Sequence, residues 1–147
     1  MGLFYFIFVQ QYLMNNLYTF PKEERLCSTK RIDSLFVEGK AFIIFPLRCV
    51  YKVYTQDRQS SVEVLFSVPK KRFKKAVHRN KIKRRMKEAY RLNKANLINN
   101  CNNKGISIDI AFSYVSDKSS EYKIIEEKIL MSIEKIIKKT SRDTSLH

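Results

Sequence analysis

The sequence has no tryptophan, only three glycines and three prolines, three cysteines and two histidines in 147 residues, and each shortage removes a class of function. Gly2, Gly39 and Gly105 lie too far apart to build a glycine-rich loop that cradles phosphate. Cys27, Cys49 and Cys101 are odd in number and widely spaced, with no CxxC pair and no histidine cluster beside them. That pattern excludes the usual zinc spacings and fits a reduced, cytoplasmic chain. His78 sits inside a basic run and His147 is the last residue, so both are expected to be structural or incidental. No Ser/His/Asp set and no paired carboxylates stand out, so neither a catalytic side chain nor a protein-bound cofactor or metal is expected. The one apolar run, from Gly2 to Val9, is too short to span a bilayer, and no cationic start or small-residue cleavage site of a secretory signal precedes Lys22. Residues 1–19 read as an extension of unknown role. A start codon placed too far upstream and a segment that docks on the domain or a partner both fit it.

Acidic residues are scarce as well: 14 Asp and Glu stand against 29 Lys and Arg, a formal net charge of +15. Such an excess favours a polyanionic partner. Nucleic acid and an anionic membrane surface both satisfy charge alone, so the distribution of the charge has to decide between them. A hydrophobic content of 44% suits one modest core. One domain is expected over residues 20–139, followed by a disordered tail over 140–147.

Ser28 or Thr29 can cap a short helix carrying Ile32, Leu35 and Phe36 at three- and four-residue spacing, with Gly39 as its stop. Ala41 to Phe45 reads as a strand. After Pro46, Leu47, Cys49, Tyr51 and Val53 alternate with Arg48, Val50, Lys52 and Tyr54, which is strand periodicity. Thr55 to Ser60 reads as a hairpin loop into a third strand, in which Val62, Val64, Phe66 and Val68 alternate with Ser61, Glu63, Leu65 and Ser67 before Pro69 ends it. Asn99 to Gly105 reads as a polar connection, and Ile106 to Tyr114 as the clearest strand. A last helix opens at Ser119 or Ser120 and carries a stripe of Tyr122, Ile125, Ile129, Ile133, Ile136 and Ile137. The order αβββαβα predicts a two-layer α/β sandwich.

Between Lys70 and Lys94 there are thirteen basic residues and one acid, Glu88. Read as a helix, the segment places Ile82, Met86, Ala89 and Tyr90 on one face and Arg84, Lys87 and Arg91 roughly opposite. Solvated helical faces usually mix charge signs, and this one does not, so it reads as an electrostatic footprint for nucleic acid. Such a row of cations releases counterions from phosphates, and arginine adds forked contacts to phosphate oxygens. The candidate RNA-binding residues are Lys70, Lys71, Lys75, Arg79, Asn80, Lys81, Lys83, Arg84, Arg85, Lys87 and Arg91.

The stretch Phe66 to Lys71 (Phe-Ser-Val-Pro-Lys-Lys), followed by Lys75 to Arg84 (Lys-Ala-Val-His-Arg-Asn-Lys-Ile-Lys-Arg) and Glu88, resembles the signature of the bacterial ribonuclease P protein family, whose strand leads into an Arg-Asn-Arg helix. The resemblance runs from about Phe20 to Ile137. Upstream, Arg25, Leu26, Ile32, Leu35, Phe36 and Gly39 are similar to the family's first helix. It implies a ribosomal-protein-like fold with an unusual crossover helix between strands. It also implies an RNA-binding subunit of a cytoplasmic ribonucleoprotein endonuclease, in which an RNA using Mg2+ cuts the 5′ leader from precursor tRNA. The implied partners are ribonuclease P RNA and precursor tRNA, with no membrane and no small-molecule substrate. Arg79, Asn80, Lys81, Lys83 and Arg84 would contact the ribozyme RNA. Lys81 stands where the family usually has Arg, keeping the charge and losing the planar fork. The leader is expected in a cleft between the first helix and the sheet, with Ile32, Phe36, Tyr51 and Tyr54 as candidates. Ile32 replaces an aromatic and can cover a base without stacking on it. Phe112 and Ser113 follow Ala111 where family members often carry basic residues.

Spacing alone leaves Phe36, Tyr51 and Tyr54 open between a cleft and ordinary packing. A ribosomal RNA-binding structural protein and a DNA-binding helix module also satisfy size and charge; neither requires the strand-to-helix signature.

Overall fold

The computed structural model describes residues 2–8, 19–55, 58 and 60–145, without the side chains of 143–145. Residues 56, 57 and 59 of the expected loop at 55–60, residues 1 and 9–18 of the extension, and residues 146–147 lie outside the described residues. Residues 2–8 form a short exposed helix.

A 3₁₀ turn, Lys22–Glu24, precedes the elements α1 (Thr29–Glu38), β1 (Lys40–Ile44), β2 (Leu47–Tyr54), β3 (Val62–Ser67), α2 (Ala76–Asn93), α3 (Ala95–Lys104), β4 (Ser107–Tyr114) and α4 (Tyr122–Ser145). The mixed α/β class is as expected; besides the helix at residues 2–8 there is one helix, α3, that the sequence pattern did not suggest. Asn99 to Gly105 is not a polar connection: Leu97 and Cys101 recur at helical spacing and are buried, while the asparagines around them give the stretch its polar composition. Gly105 ends α3 in the left-handed region, φ 64°, where a side chain would be strained.

The sheet order is β1-β2-β4-β3. β4 is antiparallel to β2 and parallel to β3, so it inserts between two strands that follow one another in the chain. β2 and β3 therefore do not pair as the hairpin expected from the sequence. The return from β3 to parallel β4 runs through α2 and α3, as a parallel pair requires.

Helices α2, α3 and α4 cover one face of the sheet. Cys49, Tyr51, Val64, Phe66, Ile108, Ile110 and Phe112 meet Ile82, Met86, Tyr90, Leu97, Ile125, Ile129, Ile133 and Ile136 there. Each such side chain contributes about 1.5–3 kcal/mol on burial. The stripe of α4 continues past its expected end: Thr140 is buried and its hydroxyl donates to Ile136 O, and the helix reaches Ser145 where a disordered tail was expected. α1 lies on the opposite face, where Leu26, Leu35, Val50 and Ala111 form a second small core with Ile32 and Leu65. That is why Val50 and Ala111 are buried despite sitting on the polar side of their alternations.

Ser28 caps α1, its hydroxyl accepting from Arg31 N at 3.4 Å. Gly39 ends it for a reason other than backbone freedom. Its φ is −71°, but an added Cβ would lie 2.3 Å from Leu35 O and 2.9 Å from Val50 Cγ1, so only glycine lets β1 leave the helix this close to β2.

Candidate nucleic-acid interface

The basic segment is a loop and a helix rather than one helix. Val68 is buried and Phe73 packs on the core, which pins the loop at both ends and leaves Lys70, Lys71, Lys74 and Lys75 exposed. α2 begins only at Ala76. Its buried face is the predicted one, Ile82, Met86, Ala89 and Tyr90. Asn80, Lys81, Arg84 and Lys87 are exposed on the opposite face, and Lys83 is half-buried.

Several cations have structural work inside the protein. Arg79 donates from one terminal nitrogen to Phe73 O at 2.7 Å and Lys74 O at 2.8 Å, holding the loop against the helix start. Arg85 donates to Ser120 O at 2.6 Å and Ser119 Oγ at 3.2 Å, tying α2 to the segment before α4. Arg72 pairs with Asp117 at 3.1 Å, and Arg91 with Glu88 at 2.6 Å. Lys94 is 1% exposed and bonds Glu24 Oε2 at 2.5 Å as well as the carbonyl of Thr19. Burial pushes the Glu24 carboxyl above its ordinary range although Lys94 pulls it the other way. The outward charge is thus carried by the loop lysines and by Lys81, Arg84 and Lys87.

A groove of about 450 Å³ runs beside α2, lined by Phe20, Arg25, Arg84, Arg85, Lys87, Glu88, Arg91 and Tyr122. Phe20 and Arg25 were not expected at this surface, the family resemblance having grouped Arg25 with the first helix. They belong instead to a segment pinned along β3 by the bond from Leu26 N to Val64 O, and the Arg25 guanidinium lies 5.6 Å over the Phe20 ring. Burial and the carboxylate of Glu126 push the Tyr122 hydroxyl up to about 12, so it stays a neutral hydrogen-bonding group.

The four cleft candidates do not share one place. The strand register puts Ile43, Arg48, Ser113 and Ser67 in a row across the α1 face, then Ala41, Val50, Ala111 and Leu65, then Lys52, Asp109 and Glu63. α1 sits over the middle row. Arg31, Ser34 and Glu38 form one flank of it, bonded to Asp109 and Glu63 and to Lys52. Ile32 and Phe36 lie on the other flank, from the helical advance of about 100° per residue, over the row that contains Arg48. Ile32 is half-buried and Phe36 is 45% exposed. Tyr54 lies beyond the ion pairs, with Lys52 Nζ and the Arg58 guanidinium 5.0 and 5.4 Å from its ring centre. Tyr51 is no cleft residue: strand alternation turns it to the other face, where it is 1% exposed with Phe42 6.2 Å away, centre to centre. Phe112 is core for the same reason, and Ser113 stands opposite Arg48.

Among the described residues no group of three or more His, Cys, Asp and Glu side chains could hold a metal ion, and no helix is long and apolar enough to cross a membrane. Cys49 and Cys101 are buried free thiols, the latter pushed up by burial to about 11.

The family model described as Ribonuclease P matches residues 20–140. The ribonuclease P protein component of Porphyromonas gingivalis is 42% identical over 115 residues, covering 78% of this chain and 84% of that protein. The corresponding component of Chlorobium phaeobacteroides is 35% identical over 118 residues, covering 74% and 81%. Among solved structures, the RNase P protein from Thermotoga maritima superposes with a TM-score of 0.60 at 22% identity over 76% of this chain and 96% of that one. The Staphylococcus aureus protein does so with a TM-score of 0.59 at 20% identity, over 78% and 95%. These two establish likeness of fold.

Proposed function

The chain belongs to the ribonuclease P protein family, and from that premise we propose that it binds a ribonuclease P RNA and the 5′ leader of precursor tRNA, supporting the removal of that leader. The observation that carries this reading is a family match spanning 20–140 together with a buried-backed helix whose outer face presents Asn80, Lys81, Arg84 and Lys87 beside the loop lysines.

The chemistry assigned to the protein is electrostatic. Lys70, Lys71, Lys75, Lys81, Arg84 and Lys87 neutralise phosphates of the ribozyme RNA and release its counterions. Lys83 and Arg91 stand at the edge of that surface. Arg79 and Arg85 act chiefly by holding the loop and the α2–α4 junction in shape, so that the exposed cations keep their spacing. The leader follows the flank of α1 that carries Phe36, an exposed ring suited to stacking on an unpaired base. The cut itself belongs to the RNA and its Mg2+ ions, and the protein lowers the Mg2+ needed by bringing fixed positive charge to crowded phosphates. The complex works in the cytoplasm.

The test is cleavage of a precursor tRNA by a bacterial ribonuclease P RNA, preferably the cognate one, at low Mg2+ with and without this protein. Stimulation of correct 5′ cleavage is expected. No stimulation, together with tight binding to ribosomal RNA, overturns the reading in favour of a ribosomal RNA-binding protein.

A further inference from the structure

The α1 face of the sheet is electrically divided. On one side of α1, Arg31, Arg58, Asp109 and Glu63 are joined in ion pairs, and Lys52 is paired with Glu38. These charges neutralise one another, and the two carboxylates repel phosphate. On the other side the row Ile43, Arg48, Ser113, Ser67 has a single charged side chain, Arg48, which is exposed. Two residues beyond Ser67 the chain reaches Pro69 and then the exposed pair Lys70 and Lys71. Arg48 therefore stands next to Ile43 near one end of this row, the loop lysines follow its other end along the chain, and serine hydroxyls lie between.

Large apolar groups also stand exposed on α1, on the edge strand and at the turn that leaves it. Phe36 is 45% exposed on the α1 flank, Ile43 62% on the edge strand, and Phe45 63% at the turn that leaves it. Phe45 also borders a hollow of about 580 Å³ with Arg72 and Ser116 on its wall. Exposed rings together with exposed cations match single-stranded nucleic acid, whose bases are free to stack while its phosphates follow the charge. A duplex keeps its bases stacked on each other and offers these rings nothing. An apolar peptide would leave Arg48, Lys70 and Lys71 uncompensated.

We propose that Arg48 and Phe45 form a subsite for one nucleotide step of single-stranded RNA at the open edge of the sheet, Arg48 pairing with a phosphate and Phe45 stacking on a base. The identification of that strand as the 5′ leader rests on the function proposed above. The subsite extends the leader path from Phe36 to the sheet edge and makes the contact depend on leader length.

The test uses the reconstituted holoenzyme and two precursor tRNAs, one with a long leader and one trimmed to a single leader nucleotide, measured under non-cleaving conditions. Wild-type stimulation of cleavage is established first, and its absence would reject the parent function rather than the subsite. For the long leader, Arg48→Gln is expected to weaken binding about fivefold and to reduce the slope of log affinity against log salt by about 0.7, the value for one single-strand phosphate contact. Arg48→Lys should keep the slope. Phe45→Leu should weaken long-leader binding by about five- to tenfold, in the range of one lost base stack. The trimmed substrate, the affinity of free protein for the ribozyme RNA, and the melting temperature should not change. Wild-type affinity and slope for the long leader in Arg48→Gln would overturn the proposal, as would an equal loss with the trimmed substrate or with the ribozyme RNA alone.

Discussion

Arg31 on α1 grips Asp109 on β4 with two hydrogen bonds, Nε donating to Oδ2 at 3.1 Å and a terminal nitrogen to Oδ1. Asp109 is fully buried on the central strand, a position where an unpaired carboxylate would be severely destabilising. Arg58 adds a bond to Oδ1 at 2.7 Å, and Glu63 accepts from Arg31 at 2.6 Å, so two guanidiniums meet two carboxylates. Burial works against the charge of Arg31, yet the two carboxylates hold its pKa above the ordinary arginine value. The fork fixes how α1 crosses the sheet, and hence where Phe36 stands.

Replacing Asp109 with Asn should destabilise the protein by about 3–5 kcal/mol, because the change leaves two guanidiniums facing one carboxylate in a buried place. Urea unfolding monitored by circular dichroism measures it. An unchanged midpoint would show that α1 is held by its small apolar core alone.

Arg84 and Arg79 should separate binding from folding. Arg84→Ala removes an exposed cation, so affinity for ribonuclease P RNA should fall and the salt slope should drop by about 1, with the melting temperature unchanged. Arg79→Ala removes two bonds to loop carbonyls and should lower stability by about 1 kcal/mol as well as weaken binding. Equal melting temperatures for the two variants would contradict the structural role of Arg79.

Phe36 and Tyr51, both cleft candidates by sequence, should behave oppositely. Phe36→Ala is expected to weaken leader binding several-fold with little loss of stability, as for one lost stack. Tyr51→Ala opens a hole in the main core and should cost about 3–5 kcal/mol. Thermal melts paired with leader-dependent affinities make the comparison, and a Phe36→Ala protein that melts as low as Tyr51→Ala would return Phe36 to the core.

Lys52 donates to Glu38 Oε2 and Ser34 Oγ, each at 2.6 Å, and this bond holds the Glu38 carboxyl below its ordinary value of 4.5. A lowered carboxylate pKa in the folded state adds stability that is present above the unfolded value and is lost as pH falls through the folded one. Wild type should therefore exceed Glu38→Gln in stability near neutral pH, and the two should converge as pH drops below 4.5. A difference that persists at pH 3 would assign the effect of Glu38→Gln to packing instead.

The sequence by itself determined most of the elements, α3 excepted, and where along the chain the basic charge concentrates. Ile82, Met86, Ala89 and Tyr90 repeat at three- and four-residue spacing, and Cys49, Tyr51 and Val64, Phe66 alternate, because a helix or strand that must bury one face writes that period into its residues. The run of basic residues between Lys70 and Lys94 is likewise visible without coordinates, since charge is a local property of composition. The tertiary structure decided what lies over what. The insertion of β4 between β2 and β3 could not be read from any strand, because backbone hydrogen bonding is the same for every candidate neighbour. The small core beneath α1 buried Val50 and Ala111 on a face that alternation had marked as polar, and separated Tyr54 from Phe36 with a layer of ion pairs. Lys94 and Lys87 look alike in the sequence and differ completely in the fold, one closed over by Glu24 and Thr19 and the other open to solvent. A charge can bind RNA only where nothing else in the chain has packed over it, and that is settled by contacts between residues far apart in sequence.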